Sequence, residues 1–446
     1  MREKEFLPLV RERLGIERLN AMQEKMLQVT SEGGDIMLLS ATGSGKTLAF
    51  VMSMLKIMKP SSGRVQGVII VPSRELVIQI SGVIRAIAAG LKTTSLYGGH
   101  KVEDEVNSLQ AGTDIIVATP GRLLDHINRR NIDVMPTRVL VLDEFDKSLE
   151  LGFEKEMKKI SSHLKNVSRT ILTSATRAAE LPDFLTLREL KTLDYLEGSR
   201  KVRERTRVWR VDSDVNDKLE TLKTLLQNIA AERGEYERSI IFVNHRESAE
   251  RTAQYLKKTG IPTTLYHGAL EQRDRESAIA LFNNGTGPVM VATDLAARGL
   301  DIEGVKHVIH YHQPLSAEVY THRNGRTARV EEDGDVYVII GPAEDQKEYI
   351  EVNATRHLER GVTIEIPRRY ESLYISAGKR EKISAGDVVG YLIKEGGLTT
   401  TEIGKINVYD HYIIVAIDAN KAPGLAESLK KKKLKGKSIR ITQIKS

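Results

Sequence analysis

Two successive series of short apolar segments dominate the sequence, and they restrict the fold more than any other feature. They lie at residues 36–39, 68–71, 115–118, 139–142 and 170–172, and then at 240–243, 263–266, 289–292, 307–311 and 336–340. Longer segments with the pattern of helices separate most of them. Such alternation is typical of parallel sheets with helices on both faces. We therefore predict an α/β fold with two tandem domains.

The last part of the chain has a different pattern. Strands are predicted at 387–393, 406–409, 412–417 and 438–444, and helices after the capping-box sequence 399–402 and over 423–434. The resulting order βαββαβ predicts a small RRM-like α+β module. We predict three domains, at 1–200, 206–365 and 372–446. The charged segment 187–206 lacks a strand pattern and is predicted to contain the first linker.

Positive charge is concentrated in this terminal module. The chain of 446 residues has a formal net charge of +7, and residues 368–446 contain 16 lysines and arginines against 8 aspartates and glutamates. The rest of the chain is therefore close to neutral. A basic terminal module predicts a polyanionic partner, most simply a nucleic acid. A solubilising tail is the alternative.

The composition also restricts the compartment and the chemistry. The chain has no cysteine, which excludes disulfides, thiolate zinc sites and cysteine nucleophiles and suits a reducing environment. The N-terminal segment lacks the apolar core of a signal peptide, and no apolar run is long enough to span a bilayer. We expect a monomeric, soluble, cytoplasmic protein without a membrane partner.

A phosphate-binding loop follows the first apolar segment. Residues 40–47 read Ser-Ala-Thr-Gly-Ser-Gly-Lys-Thr, and glycines in such a loop let backbone N–H groups surround a phosphate at a helix N-terminus. Lys46 is predicted to reach the β- and γ-phosphates, and the Thr47 hydroxyl to bind Mg²⁺. The strict pattern has Gly where Ser40 stands. A chance Gly-Lys-Thr loop is the alternative.

Three carboxylates follow the apolar segment 139–142, in the sequence Asp143-Glu144-Phe145-Asp146. Ligands bind at the carboxyl ends of the strands in an open α/β sheet. Together with the phosphate loop, Asp143 is predicted to be the Mg²⁺ carboxylate and Glu144 the base for an attacking water. Without that loop, the motif could equally be a solvated acidic turn.

In combination, these and further motifs resemble those of the DEAD-box RNA helicases, in family order over roughly residues 6–345. The resemblance rests on Phe6 with Gln23, the loop at 40–47, Asp143–Asp146, 72–76, Gly98-Gly99, 119–122, 174–176, 240–244, Gln272 with Arg275, Thr293 to Asp301, and 322–329. The chain departs from the family pattern at Leu19, Phe145 and Ala328. We expect the Phe145 side chain to pack away from the phosphates.

The resemblance implies two RecA-like domains that bind ATP, Mg²⁺ and RNA. The implied catalytic residues are Lys46, Asp143, Glu144 and the arginine fingers Arg326 and Arg329. The implied nucleotide contacts are Phe6, Gln23, Thr42, Gly43, Ser44, Gly45, Lys46, Thr47 and Asp301, with Phe6 stacking on adenine and Gln23 reading its edge. The implied coupling residues are Asp146, Ser174, Thr176 and His322. The implied RNA contacts are Arg74, Gly99, Thr119, Arg122, Arg275 and Thr293.

The terminal module resembles the RNA-binding domain of the DbpA-type members, chiefly at 386–390, 404–406 and 434–437. The resemblance implies a tether to 23S ribosomal RNA during large-subunit assembly. Residues 409–417 lack the aromatic pattern with which RRM sheets stack on bases. Lys433 and Lys435, in a lysine-rich run, are predicted to bind RNA phosphates, and a solvated helix end is the alternative.

Two other functions remain open at this point. An ATP-driven DNA translocase would use the same fold and the same phosphate loop. A non-catalytic RNA-binding scaffold would require a nucleotide site that has lost its chemistry, although Lys46, Asp143 and Glu144 are all present.

Overall fold

The computed structural model describes residues 3–40, 43–99, 102–177, 181, 183–196, 206–294, 302, 304–327, 334–362 and 366–444. The chain divides into two compact units, of which the first holds one large sheet and the second holds the other sheets. Among the described residues, no helix has both the length and the apolar content that crossing a bilayer requires.

The first unit contains a seven-stranded parallel sheet in the order β3-β4-β2-β5-β6-β1-β7. Its strands are β1 Ile36–Leu39, β2 Gly67–Ile70, β3 Thr93–Leu96, β4 Ile115–Ala118, β5 Val139–Leu142, β6 Arg169–Ser174 and β7 Lys191–Asp194. Its helices are α1 Glu3–Leu14, α2 Ala21–Glu32, α3 Lys46–Ile57, α4 Arg74–Ile87, α5 Val102–Gln110, α6 Pro120–Asn128, α7 Phe145–Glu150 and α8 Glu154–His163.

Both faces of this sheet are buried, which explains the continuous apolar segments. In β2, Ile69 belongs to one hydrophobic cluster, whereas Val68 and Ile70 belong to the cluster on the other face. Successive side chains of a strand point to opposite faces, so a strand covered on both sides needs apolar residues throughout.

The sequence prediction missed two strands of the first sheet. The strand β7 lies within 187–206, the segment predicted to contain the linker, and pairs with β1. Its residues alternate between half-buried and exposed positions, because it lies at the sheet edge. The other missed strand, β3, reads Thr-Thr-Ser-Leu and lies at the opposite edge. Edge strands need less apolar surface than central strands, so their apolar signal is weak.

The second unit contains another seven-stranded parallel sheet, in the order β10-β11-β9-β12-β13-β8-β14. Its strands are β8 Thr206–Asp212, β9 Ser239–Val243, β10 Thr263–Tyr266, β11 Val289–Thr293, β12 His307–His310, β13 Gly334–Ile340 and β14 Ala354–Thr355. The described helices beside it are α9 Leu219–Arg233, α10 Arg246–Lys258, α11 Gln272–Asn283 and α12 Ala317–Asn324. In chain order, the two large sheets have the same topology, which confirms the predicted pair of related α/β domains.

The terminal module has a four-stranded antiparallel sheet in the order β16-β17-β15-β20 and a small hairpin, β18-β19. Its strands are β15 Tyr370–Ile375, β16 Ile403–Val408, β17 Ile413–Asp418, β18 Lys433–Leu434, β19 Lys437–Ser438 and β20 Ile441–Ile444. Its helices are α13 Ala385–Lys394 and α14 Leu425–Leu429. Apart from the extra hairpin, the predicted order βαββαβ is present.

Several predicted elements of this module are wrong. Residues 387–393 form part of helix α13, because Ser384 and Asp387 make a capping box, and Val388, Tyr391 and Leu392 bury one helical face. The first strand is instead β15, which begins before the predicted boundary at 372. The capping box at 399–402 opens only a short 3₁₀ turn, and the helix predicted over 423–434 ends at Leu429.

Candidate functional site

The phosphate loop connects β1 to α3 and is held in shape by its own side chains. Lys46 Nζ donates to the carbonyl oxygen of Ser40 at 2.7 Å, and Ser40 Oγ donates to Ser44 Oγ at 2.7 Å. Ser40, at the position where the strict pattern has Gly, is therefore hydrogen-bonded to two other residues of the loop. Gly45 has a φ of 90°, a left-handed conformation that favours glycine, and a Cβ there would lie 2.5 Å from Gln23 Nε2 and displace that side chain.

Gln23 joins helix α2 to this loop. Its side-chain oxygen accepts from the backbone N–H of Asn20 at 2.9 Å, and its Nε2 donates to the carbonyl oxygen of Gly45 at 3.3 Å. Asn20 in turn donates to the carbonyl oxygen of Ser44 at 3.0 Å. The predicted adenine reader is thus directly attached to the phosphate loop, and its role in reading adenine stays a prediction.

Phe6 lies in α1 and has no exposed surface. Its ring packs in the hydrophobic cluster that also contains Met26, Phe50 and Ile80. An adenine could reach this ring only after α1 moves, so the stacking role of Phe6 stays a prediction. Thr42, Asp301 and Arg329 lie outside the described residues.

The acidic motif begins directly after β5 and is buried behind the phosphate loop. The Thr173 hydroxyl donates to Asp143 Oδ1 and also accepts from the backbone N–H of Glu144 at 3.1 Å. Burial, with the Glu144 charge beside it, raises the pKa of Asp143, while the Lys46 ammonium opposes that shift. Burial lowers the pKa of Lys46, and the charges of Glu144 and Asp143 act against it. A cation at Asp143 would favour the ionised carboxylate.

Glu144 is held in an unusual backbone conformation. Its φ of 50° is left-handed, and it lies at the N-cap of α7. Its Oε2 is 3.1 Å from the Nζ of Lys147, and both side chains are almost fully buried. Left-handed non-glycine residues of this kind cost about 1–3 kcal/mol and cluster at active sites. This conformation places the Glu144 carboxylate, with its Lys147 partner, at the carboxyl end of β5.

Phe145 is buried in the core of the first unit, which confirms the prediction that its side chain packs into the protein. Its side chain is 1% exposed and packs in the cluster that contains Leu142, Ile160 and Leu172. The residue that departs from the family pattern is therefore a core residue of the first unit.

For Phe145→Ala, we expect ATP turnover of the folded protein to stay within about tenfold of the parent, or 1.4 kcal/mol. The free energy of unfolding should fall by about 3–5 kcal/mol, because a buried aromatic ring is removed. Urea unfolding and a phosphate-release assay would measure the two effects, with Phe145→Leu as the milder control. A larger loss of turnover in the folded variant would place Phe145 in the chemistry.

The predicted coupling residues of the first unit are in contact with one another. Asp146 Oδ2 accepts from the hydroxyls of Ser174 and Thr176, at 2.6 and 2.7 Å. These bonds join α7 to the end of β6, so the acidic motif and the segment 174–176 form one hydrogen-bonded unit. His322 lies in the other unit, where it is buried at the end of α12.

The predicted RNA contacts of the first unit lie at the carboxyl ends of three neighbouring strands. Arg74 follows β2, Gly99 follows β3, and Thr119 follows β4 as the N-cap of α6. The Arg74 guanidinium lies 3.0 Å from where a Cβ of Gly98 would stand. Because β3, β4 and β2 are adjacent, these loops share one sheet edge.

Arg122 is mostly engaged within the protein. Its Nε donates to Glu105 Oε2 at 2.6 Å, and the same oxygen lies 2.8 Å from His126 Nε2. The Arg122 side chain is 15% exposed. Its predicted contact with RNA stays a prediction.

A buried arginine in the second unit, Arg323, was not among the predicted site residues. Arg323 is 2% exposed, and its guanidinium binds both carboxylate oxygens of Asp294, at 2.5 and 2.7 Å. It also donates to Asn244 Oδ1 at 2.8 Å and to the carbonyl oxygen of His312 at 2.7 Å. Burial lowers the pKa of the adjacent His310 to about 3, so that ring is neutral. The sequence contained one signal for this ion pair. Three arginines lie within 322–329, and burying an arginine is costly unless it meets an anionic partner such as Asp294.

Arg323 joins the ends of three elements, two of which, β11 and α12, carry predicted site residues. Asp294 follows Thr293 at the end of β11, and Asn244 follows β9. Arg326 is buried just after α12, and its backbone N–H donates to the carbonyl oxygen of Arg323 at 3.1 Å. The structure thus places Thr293, His322 and Arg326 around a buried ion pair. Arg275 lies on α11, where it donates to Gln272 Oε1 at 2.6 Å.

The lysines predicted in the terminal module lie on the β18-β19 hairpin, not at a helix end. Lys433 and Lys435 are both exposed, and Lys435 Nζ lies 3.1 Å from Asp387 Oδ2. Lys437 Nζ donates to the carbonyl oxygen of Glu381 at 2.6 Å. These contacts bring the hairpin beside the basic segment 379–382. We call residues 379–382 and 433–437 together the basic hairpin surface.

Three family profiles match the chain in succession. The DEAD/DEAH box helicase profile matches residues 20–184, the helicase conserved C-terminal domain profile matches 217–331, and the DbpA RNA binding domain profile matches 372–443. The matches follow the order of the first large sheet, the second large sheet and the terminal module.

Curated relatives match over nearly the whole chain. The ATP-dependent RNA helicase DbpA of Escherichia coli is 30% identical over 442 residues, covering 97% of this chain and 96% of that protein. The protein of the same name from Bacillus subtilis is 28% identical over 463 residues, with the same coverage.

Solved structures show the same fold. The DEAD-box helicase Mss116 bound to ssRNA and UDP-BeF has a TM-score of 0.71 at 24% identity, over 81% of this chain and 79% of that one. S. cerevisiae Dbp5 bound to RNA and ADP BeF3 has a TM-score of 0.67 at 25% identity, over 78% and 93%. The similarity supports the assignment of both large sheets to RecA-like domains.

Proposed function

Because the chain belongs to the DEAD-box ATP-dependent RNA helicases of the DbpA type, we propose that it remodels ribosomal RNA, specifically 23S RNA during large-subunit assembly. It is an RNA-stimulated ATPase and RNA helicase, and its relatives are named as ATP-dependent RNA helicases. The observation that carries its chemistry is the buried group of Lys46, Asp143 and Glu144 behind the phosphate loop.

In the proposed mechanism, the phosphates of ATP lie on the loop before α3. Lys46 exchanges its bond to Ser40 for the β- and γ-phosphate oxygens, and the N-terminus of α3 adds partial positive charge. Glu144 accepts a proton from the attacking water, and Arg326 and Arg329 stabilise the charge on the transferred phosphoryl group. The hydrogen bonds of Ser174 and Thr176 to Asp146 couple nucleotide binding at the acidic motif to the loops that bind RNA.

The residues at the phosphate loop fit Mg²⁺. The ion is usually held by one or two carboxylates together with phosphates and waters, and Asp143 and Thr47 offer a carboxylate and a hydroxyl. When bound, Mg²⁺ would neutralise charge on the β- and γ-phosphates. The ion would also oppose the upward shift in the pKa of Asp143.

We propose that RNA follows the loops of Arg74, Gly99 and Thr119 in the first unit, and Thr293 and Arg275 in the second. Backbone N–H groups and arginines suit phosphates, and contacts to the 2′-hydroxyl would distinguish RNA from DNA. The basic hairpin surface of the terminal module would bind the ribosomal RNA, since its exposed lysines suit a phosphate backbone.

The ribosomal target is tested by comparing RNA ligands. We expect a 23S RNA fragment to stimulate the ATPase of the full chain at lower concentration than an unrelated RNA of equal length, and DNA to stimulate it little. Equal stimulation by both RNAs would contradict the ribosomal target. Equal stimulation by DNA would favour a DNA translocase, and no phosphate release with any ligand would favour a scaffold.

For the double variant Lys433→Ala/Lys435→Ala, we expect weaker binding of the 23S fragment. The slope of log affinity against log salt should become shallower by about two, because each lysine that neutralises a phosphate contributes about one. Lys258→Ala, an exposed lysine at the end of α10, is the matched control. An unchanged slope would show that these two lysines do not contact RNA phosphates and that the RNA-binding surface lies elsewhere.

A further inference from the structure

The sheet of the terminal module is buried on both faces. One face packs on α13 and α14 through residues such as Leu373, Ile413 and Val415. The other face, which an RRM leaves open for bases, carries Tyr374, Tyr409, Tyr412 and Ile414. We call these four residues the tyrosine face.

The tyrosine face packs against helix α11 of the second RecA-like domain. Ile414 is fully buried and joins Ala280 and Leu281 of α11 in one hydrophobic cluster. The Arg273 guanidinium lies 4.7 Å from the ring centre of Tyr374 and 5.4 Å from that of Tyr412. A cation at these distances is attracted to the aromatic rings. Bases therefore cannot stack on this face while the contact is made.

Glu276 of α11 accepts hydrogen bonds from two tyrosine hydroxyls. Tyr412 donates to Glu276 Oε2 at 2.6 Å, and Tyr409 donates to the backbone carbonyl of Glu276 at 3.2 Å. Burial, with Glu276 nearby, raises the pKa of both tyrosines, so both hydroxyls keep the protons that they donate. The first turns of α11 are thus held by charge, hydrogen bonds and ring contacts together.

A second, fully buried anchor lies just after α11. Ser372 Oγ on β15 accepts from Asn284 Nδ2 at 2.9 Å and lies 2.8 Å from Thr286 Oγ1. The sheet therefore contacts α11 near its beginning and again beyond its end. Two separated anchors fix both the position and the rotation of a helix.

Rotation of α11 matters because its other side carries Arg275, for which a contact with RNA is proposed above. Arg273, Glu276 and Ala280 are spaced so that they share one face of the helix. Arg275 is two residues from Arg273 and therefore about 200° around the axis. A small rotation at the tyrosine face would move the Arg275 guanidinium by a similar angle on the opposite side.

We propose that the tyrosine face is a positioning surface for α11, which orients Arg275 toward a phosphate of RNA bound to the RecA-like domains. Arg273 and Tyr412 are the positioning residues, and neither touches RNA. The terminal module then has two separate surfaces. The basic hairpin surface binds its own RNA target, and the tyrosine face positions the helix through which the second RecA-like domain binds RNA. This inference rests on the proposed RNA contact of Arg275.

The test measures the KM for RNA in the ATPase reaction of the full chain, with an unrelated single-stranded RNA as the ligand. We expect Arg275→Ala and Arg273→Ala each to raise this KM by about tenfold, as for a lost charge-assisted contact. Tyr412→Phe should raise it by about threefold. Turnover at saturating RNA should change less than the KM. Arg273→Lys, which keeps a cation over the rings, should restore most of the loss.

The double variant Arg273→Ala/Arg275→Ala decides the mechanism. If Arg273 acts through Arg275, the double variant has the KM of Arg275→Ala alone; independent effects would multiply. The matched control is Tyr255→Phe, which removes a tyrosine–glutamate hydrogen bond elsewhere on the same domain and should leave the KM unchanged.

The outcomes separate this inference from the proposed function. An unaltered KM in Arg273→Ala, or multiplied effects in the double variant, would overturn the positioning role while Arg275 kept its RNA contact. An unaltered KM in Arg275→Ala would remove that contact and the inference with it. The ribosomal target is tested separately, by comparing the 23S fragment with the unrelated RNA on the parent chain.

Discussion

Glu144→Gln should reduce RNA-stimulated ATP turnover by about 10²–10⁴-fold, the usual contribution of a general base. The Gln side chain has nearly the shape of Glu but cannot accept the proton of the attacking water. The backbone conformation of residue 144, its bond to Thr173 and the loop that holds ATP would all remain. RNA binding in the presence of ATP should therefore persist.

This variant also removes a buried charge. Glu144 is the ion-pair partner of Lys147, and breaking a buried pair is destabilising by about 3–5 kcal/mol. Here the nearby charges of Asp143 and Asp146 should soften the effect. Urea unfolding should accompany the kinetics, so that lost chemistry is separated from lost structure.

Glu154→Gln makes the same chemical change at an exposed position of the first unit and should behave as the parent. Phosphate release would be measured at saturating ATP and RNA, and RNA binding by fluorescence anisotropy with ATP present. Normal turnover by folded Glu144→Gln would show that another group takes the proton.

Lys46→Ala should lower RNA-stimulated turnover by at least about 10²–10³-fold, as expected when one preorganised donor to a developing charge is removed. The ammonium is buried next to Asp143 and Glu144. Without it, these two carboxylates would face the phosphates of ATP with less positive charge between them. ATP binding should weaken together with turnover.

Lys59→Ala is the matched control, because Lys59 is exposed just beyond α3. Binding of a fluorescent ATP analogue and phosphate release would be measured on both variants. Turnover of Lys46→Ala within about tenfold of the parent would show that another residue compensates the phosphate charge.

The proximity of the phosphate loop and the acidic motif was predictable, because the residues of each motif are local in sequence. The loop at 40–47 and the motif at 143–146 each place several functional groups within one turn, directly after an apolar strand. The ends of parallel strands meet at one sheet edge, so the two motifs could be assigned to one site before the fold was known.

Two kinds of feature could not be read locally. The first is the pair of edge strands, β7 and β3. Each has a neighbouring strand on one side only and is less buried than a central strand, so its apolar pattern is weak. The second is pairing between charged side chains. Arg323 meets Asn244 across 79 residues and Asp294 across 29, and no sequence spacing specifies such partners.

The sequence alone determined the fold class and the residues of the phosphate and acidic motifs, since these depend on periodicity and on neighbours in the chain. The order βαββαβ of the terminal module was predicted from a first strand and a first helix that the structure does not have at those residues. Only the tertiary structure decided what covers the terminal sheet. Tyr412 meets Glu276 across 136 residues, and a tyrosine on a strand has the same local pattern whether it faces RNA, water or a helix. Contacts between distant segments depend on how whole elements pack, and that information is not contained in any short stretch of sequence.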